Sequence, residues 1–113
     1  MPLVTFVQEG SAVDYTPNAD LEAGAVVVQN DLVGVTKRKV LANELGALHV
    51  AGVFDFPKAA GVGTAIAAGL NVYWDVAEQV AKTNSETGAN KLLGKTTAAA
   101  GDNDATVRVR MSQ

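Results

Sequence analysis

The sequence predicts an all-β protein: a small antiparallel β-barrel or β-sandwich with at most one short helical turn. Three observations carry this. Apolar and polar residues alternate along most of the chain, the pattern of half-buried strands. Turn formers interrupt it at short intervals, at Glu9-Gly10-Ser11, Pro17-Asn18, Asn30-Asp31, Asn84-Ser85 and Gly101-Asp102-Asn103-Asp104. No segment holds apolar residues at helical spacing for several turns, and short, closely spaced strands mean a barrel or a sandwich.

Taken in order, strand-like segments fall near Val4–Gln8, Val13–Thr16, Ala25–Gln29 and Leu32–Thr36. The next places Leu48, Val50, Phe54 and Phe56 on one face, interrupted by Gly52, with His49, Ala51 and Asp55 opposite. Leu70–Trp74 and Leu92–Ala98 follow. The clearest is the last, where Val107, Val109 and Met111 point one way and Thr106, Arg108 and Arg110 the other. Lys91 to Ala98 is expected to pair with Thr106–Met111 through the intervening turn.

Between these, Asp75 to Lys82 fits two readings. Asp75 is placed to cap a helical turn with Glu78, and the bend of a hairpin fits equally well. A short motif also recurs: Leu21-Glu22-Ala23-Gly24 before AVVV, Ile66-Ala67-Ala68-Gly69 before LNVYW, and, more loosely, Leu41 to Gly46 before ALHV. In each, glycine is expected to supply a positive φ at the turn into a strand. The copies read as one local turn solution used repeatedly, not as a duplicated domain.

The chain has 113 residues, room for one domain, taken as 1–113, with residues 1–8 read as an extended N-terminal arm or edge strand. Hydrophobic residues make up 48%, largely Ala and Val, so the core is expected to be thin and self-association a natural way to bury more. A net charge of −3 argues against a nucleic-acid partner. With no cysteine, thiolate chemistry and disulfides are excluded. The start, MPLVTFVQEG, lacks the basic segment and long apolar run of a secretory signal. Ala59 to Trp74, the longest uncharged stretch, falls short of the ~20 apolar residues that span a bilayer, so no membrane partner is expected.

One segment imitates a phosphate loop. GANKLLGKTT contains Gly94-Lys95-Thr96, but five residues separate Gly88 from Gly94 where the motif requires four. Neither the buried strand before it nor the helix after it is present, and that helix end supplies the site's positive potential. The segment reads instead as the entry to a strand, with Lys95 and Thr96 on an exposed sheet face. Gly61-Val62-Gly63-Thr64-Ala65-Ile66 likewise starts like a dinucleotide fingerprint, but Ile66 occupies the third glycine position. No cofactor or small-molecule substrate is expected.

Nor is there a catalytic or metal constellation. His49, the single histidine, is expected near a surface or interface, with Asp55 about 20 Å away along an extended strand. The carboxylates are scattered through turns, and turn chemistry accounts for Asp102 and Asp104. Lys37-Arg38-Lys39 reads as a solvated hairpin tip or exposed edge. Arg108 and Arg110 share one strand face and are candidates for subunit contact, because arginine is favoured in interfaces.

Across nearly its full length the chain resembles the capsid cement, or head decoration, proteins of tailed phages and prophages. The resemblance runs through TFVQEGSAVDYT, LEAGAVVV, LVGV, ALHVAGVFDFPKAAG, IAAGLNVYWD and LLGKTTAAAGDNDATVRVRM. It implies a non-enzymatic virion protein that binds the outer surface of the assembled capsid and stabilises it. The implied partners are the major capsid protein and its own copies, as a homotrimer, with assembly in the host cytoplasm. A recombinase label sometimes attached to the family would need a nucleotide site that Gly94-Lys95-Thr96 does not provide. The other virion reading is a head-fibre base or tail component. Candidate contacts are the apolar N-terminal residues Pro2, Leu3, Val4 and Phe6, the small and mobile loop from Pro57 and Lys58 to Thr64, and the Arg108/Arg110 face.

Overall fold

A computed structural model describes residues 3–5 and 10–112. Among them are nine strands and one 3-10 turn at Glu86–Gly88. The first sheet holds β1 (Ala12–Tyr15), β2 (Val26–Gln29), β3 (Leu32–Val35) and β4 (Gly46–His49), in the order β1-β4-β3-β2. The second holds β5 (Gly52–Pro57), β6 (Asn71–Asp75), β7 (Val80–Lys82), β8 (Lys91–Thr96) and β9 (Thr106–Met111), in the order β5-β9-β8-β6-β7. All pairings are antiparallel.

The second sheet curls until its edge strands β5 and β7 touch, but no ladder joins them among the described residues. The arrangement is a sandwich, not a closed barrel. One hydrophobic cluster spans both sheets: Phe56, Val72, Trp74, Val107, Val109 and Met111 meet Val33 and Val35 of the first sheet. Phe56 packs at 6.0 Å on Trp74 and edge-on at 6.4 Å from Phe54. Aromatic pairs of this kind add about 0.5–1.5 kcal/mol beyond burial.

Strand β9 alternates as its sequence predicts, and it pairs with β8 as expected. The segment from Leu48 to Phe56 does not form one strand. It divides into β4 and β5, in different sheets, and the chain crosses at Gly52, whose φ is +123°. Asp75 to Lys82 is a hairpin. The Asp75 carboxylate accepts from Glu78 N–H at 3.1 Å, so the capping signal is real, but it caps the loop between β6 and β7. Leu3 to Thr5 form no strand; the rest of the 1–8 segment lies outside the described residues.

The two sheets are built on one plan. Strands β1, β4, β3, β2 correspond in order to β5, β9, β8, β6, with β7 added at the second sheet's end. The register agrees up to a bulge after Val72: Val26 pairs with Val35 and Val27 with Gly34, as Asn71 pairs with Lys95 and Val72 with Gly94. LVGVT (32–36) and LLGKT (92–96) are the same strand in the two copies.

Each copy is closed by a buried threonine. The Thr36 hydroxyl donates to Glu22 C=O at 2.7 Å and accepts from Ala25 N–H at 3.0 Å. The Thr96 hydroxyl donates to Ala67 C=O at 2.7 Å and accepts from Leu70 N–H at 3.1 Å. Gly24 and Gly69 both take φ +81° and donate to the carbonyls of Thr36 and Thr96. Isolated bridges Leu21–Val40 and Ile66–Ala100 complete the match. The recurring turn is therefore part of a duplicated supersecondary unit, contrary to the sequence expectation of a purely local solution. The loose third copy differs: Asn43, not Gly46, takes the positive φ. Gly46 is required by space, since a Cβ there would lie 2.7 Å from the Val40 methyls.

Candidate interaction surfaces

The phosphate-loop imitation is settled by its place in the fold. Gly94, Lys95 and Thr96 lie inside β8, and the chain continues into a turn, with no helix. Thr96 is buried with its hydroxyl occupied, so the expectation of an exposed Thr96 is corrected; Lys95 is exposed, opposite Arg110. A Cβ at Gly94 would lie 2.0 Å from the Arg110 carbonyl oxygen. That glycine admits the β9 backbone, not a phosphate. In the second imitation Ile66 is buried and bridged to Ala100.

His49 is half-buried on β4, and burial first, then Lys37 and Arg38, hold its pKa below the ordinary 6.5. Asp55 belongs to the other sheet, where its carboxylate receives Arg108 Nε at 3.0 Å and Nη2 at 3.3 Å. Asp102 and Asp104 serve their turns, accepting from Ala65 N–H at 2.9 Å and Gly101 N–H at 2.8 Å. Among the described residues no buried side-chain nitrogen or oxygen lacks a partner.

Sequence reasoning missed one cluster. Asp75, Glu78 and Glu86 converge, with carboxylate oxygens within 4.8 Å of one another. Lys82 fills their centre, at 3.0 Å from Asp75 and 3.6 Å from Glu86, and bonds to Glu78 as well. Hydrogen bonding to Lys82 lowers the Asp75 pKa, and the carboxylates raise that of Lys82. The i, i+4 spacing of Glu78, Lys82 and Glu86 was the readable signal. The cluster ties the β6–β7 hairpin to the 3-10 turn, with the ammonium where a cation would otherwise sit.

The expected contact residues fall in separate places. Leu3 and Val4 are 99% and 84% exposed; Pro2 and Phe6 lie outside the described residues. Pro57 is exposed at the end of β5. Lys58 is buried, and its ammonium donates to Ala59 C=O at 2.8 Å, Thr64 Oγ at 3.2 Å and Asp104 C=O at 3.2 Å. Three donors meet three acceptors, which offsets the cost of burying the charge. Lys58 thus fastens the 58–64 loop to the 101–104 turn, with its ammonium buried in this chain. Arg108 is bound to Asp55, whereas Arg110 makes no ion pair among the described residues.

The exposed basic run Lys37-Arg38-Lys39 follows β3 and borders an open groove of about 970 Å³ with Asp14, Leu45, Ala47 and His49 in its lining. Lys37 stands 6.0 Å above the Phe54 ring. No described helix is long and apolar enough to cross a membrane. Compared with known proteins, residues 7–111 match the family model described as "Phage cement protein". No curated protein and no solved structure matches the chain.

Proposed function

This chain belongs to the phage cement protein family, a structural family, and from that premise we propose that it binds the outer surface of an assembled phage head and stabilises it. The partner is the major capsid protein, and the binding form is a homotrimer of one decoration domain, residues 1–113. The family match over residues 7–111 carries this reading. Several of its polar groups are engaged in holding turns and strands, among them Asp102, Thr96 and the buried Lys58, as suits a structural role. The protein acts by contact alone, without catalysis or cofactor. Contacts are drawn from the N-terminal residues, the Pro57 end of β5 and the Arg110 face.

Many equivalent sites on one shell let modest single-site affinity stabilise the whole particle, because each bound copy resists the same expansion. Purified protein added to undecorated mature heads is expected to co-sediment with them and to raise the temperature at which they release DNA. Heads that pellet without it would end this reading. Binding confined to tails or fibre bases would replace it with another virion module.

A further inference from the structure

The duplicated unit shows where the first sheet is incomplete. In the second sheet β6 pairs with β8 on one side and β7 on the other. Its counterpart β2 pairs with β3 alone, and its other edge is open among the described residues. The remaining sheet edges carry features that discourage added strands. β1 contains the exposed Asp14, β5 contains Asp55 and ends in Pro57, and β7 is three residues long and contains Lys82. β2 is Val26-Val27-Val28-Gln29, with no charge, proline or glycine.

A strand suited to this edge lies in the same sequence. Leu3-Val4-Thr5-Phe6-Val7-Gln8 is uncharged, and Leu3 and Val4 bury almost nothing in their own protomer, at 99% and 84% exposure. We infer that the N-terminal segment of a second copy pairs with the open edge of β2, taking the position that β7 holds beside β6. Main-chain hydrogen bonds supply the affinity, and the apolar side chains select a mate as uncharged as β2 itself. The contact is head-to-tail, since the arm and the edge are different surfaces, and a threefold rotation between copies closes such contacts into a ring of three. This deepens the self-association proposed above and rests on it.

The test uses the full chain, with sedimentation to follow association and amide hydrogen exchange to locate it. In the associated state the amides of Val26–Gln29 are expected to exchange about tenfold more slowly than after dilution to the protomer. Val4→Asp changes an exposed residue, so the protomer should fold, keep its β9 protection, sediment as a monomer and lose protection at β2. Val27→Lys should do the same from the acceptor side. Association without β2 protection would overturn the inference and leave self-association standing. Val4→Asp retaining both would overturn it in favour of β2 pairing with β2. Protection that appears only on adding heads would assign the edge to a capsid strand instead, and a wild type that never associates would remove the inference with the trimer.

Discussion

The two sheets share a strand plan, much of their register and a threonine closure, yet they differ in which positions they bury, although Val33 and Leu93, and Leu48 and Val109, are buried in both. In the second unit the buried face is Phe54, Phe56, Val72, Trp74, Val107 and Val109, and the sheet curls around it. The matching positions of the first unit are Val13, Tyr15, Val27, Gln29, Gly46 and Leu48, of which only Leu48 is fully buried. The first unit instead lays Val26, Val28, Val33 and Val35 against the shared core. Their counterparts in the second unit include the exposed Asn71 and Lys95. One backbone plan thus serves both a curled core sheet and the sheet that flanks it, because side-chain choice at alternate positions decides which face is apolar.

The largest effect expected to separate the units is at their shared glycine. Gly94→Ala places a Cβ against the β9 backbone at 2.0 Å, which only displacement of the strand can relieve. It should cost more than about 3 kcal/mol. Gly34→Ala meets Leu48 Cβ at 2.8 Å, which no rotamer change moves but a shift of a few tenths of an ångström in β4 relieves, so about 1–3 kcal/mol is expected. Denaturant unfolding measures both; equal losses would break the distinction between backbone and side-chain contact.

The aromatic pair comes next. Phe56→Ala should cost about 3–5 kcal/mol, since the ring is 2% exposed between Phe54 and Trp74. Tyr15→Ala, at the corresponding and half-buried position, should cost about 1–2 kcal/mol. A larger loss at Tyr15 would mean that the first unit has the tighter core.

The threonines test likeness instead of difference. Thr96→Val leaves Ala67 C=O and Leu70 N–H without their hydroxyl partner, Thr36→Val leaves Glu22 C=O and Ala25 N–H only their longer 3.3 Å bond to each other, and each should cost about 1–3 kcal/mol. Values agreeing within experimental error would sharpen the duplication; a neutral Thr36→Val would weaken it.

The smallest effect is in acid. His49 has a lowered folded-state pKa, so the unfolded chain binds its proton first, and stability begins to fall as pH drops below 6.5. The depressed Asp55 and Asp75 lose their contribution only at lower pH, below the ordinary 3.8 and through their folded values. Melting temperature against pH should therefore decline in two windows, with the upper one absent in His49→Gln. An upper window that survives the substitution would place its origin elsewhere.

Much of the fold was legible. Alternation in Thr106–Met111 marked β9, turn formers marked most strand ends, and the surplus residue before Gly94 exposed a false phosphate loop. The duplication was not, because its clearest match, LVGVT and LLGKT, is short, and β7 with the 3-10 turn is inserted between β6 and β8. The LEAG and IAAG turns and the LVGVT and LLGKT strands therefore stand at unequal spacings in the two halves. Lys58 illustrates the same limit for the surface. A lysine in a loop of Gly and Ala reads as exposed, and only the carbonyls of Asp104 and Ala59, brought together by folding, make its burial affordable.

By itself the sequence determined the local terms: which residues alternate, where glycine relieves a turn, and that Gly94-Lys95-Thr96 is out of register for a phosphate loop. Those follow from spacing along the chain, and spacing is what a sequence records. Tertiary structure decided which sheet each strand joined, which face was buried, and that Gly94 yields space to Arg110 instead of a ligand. These depend on groups far apart in the chain, whose meeting is set by the packing of the whole.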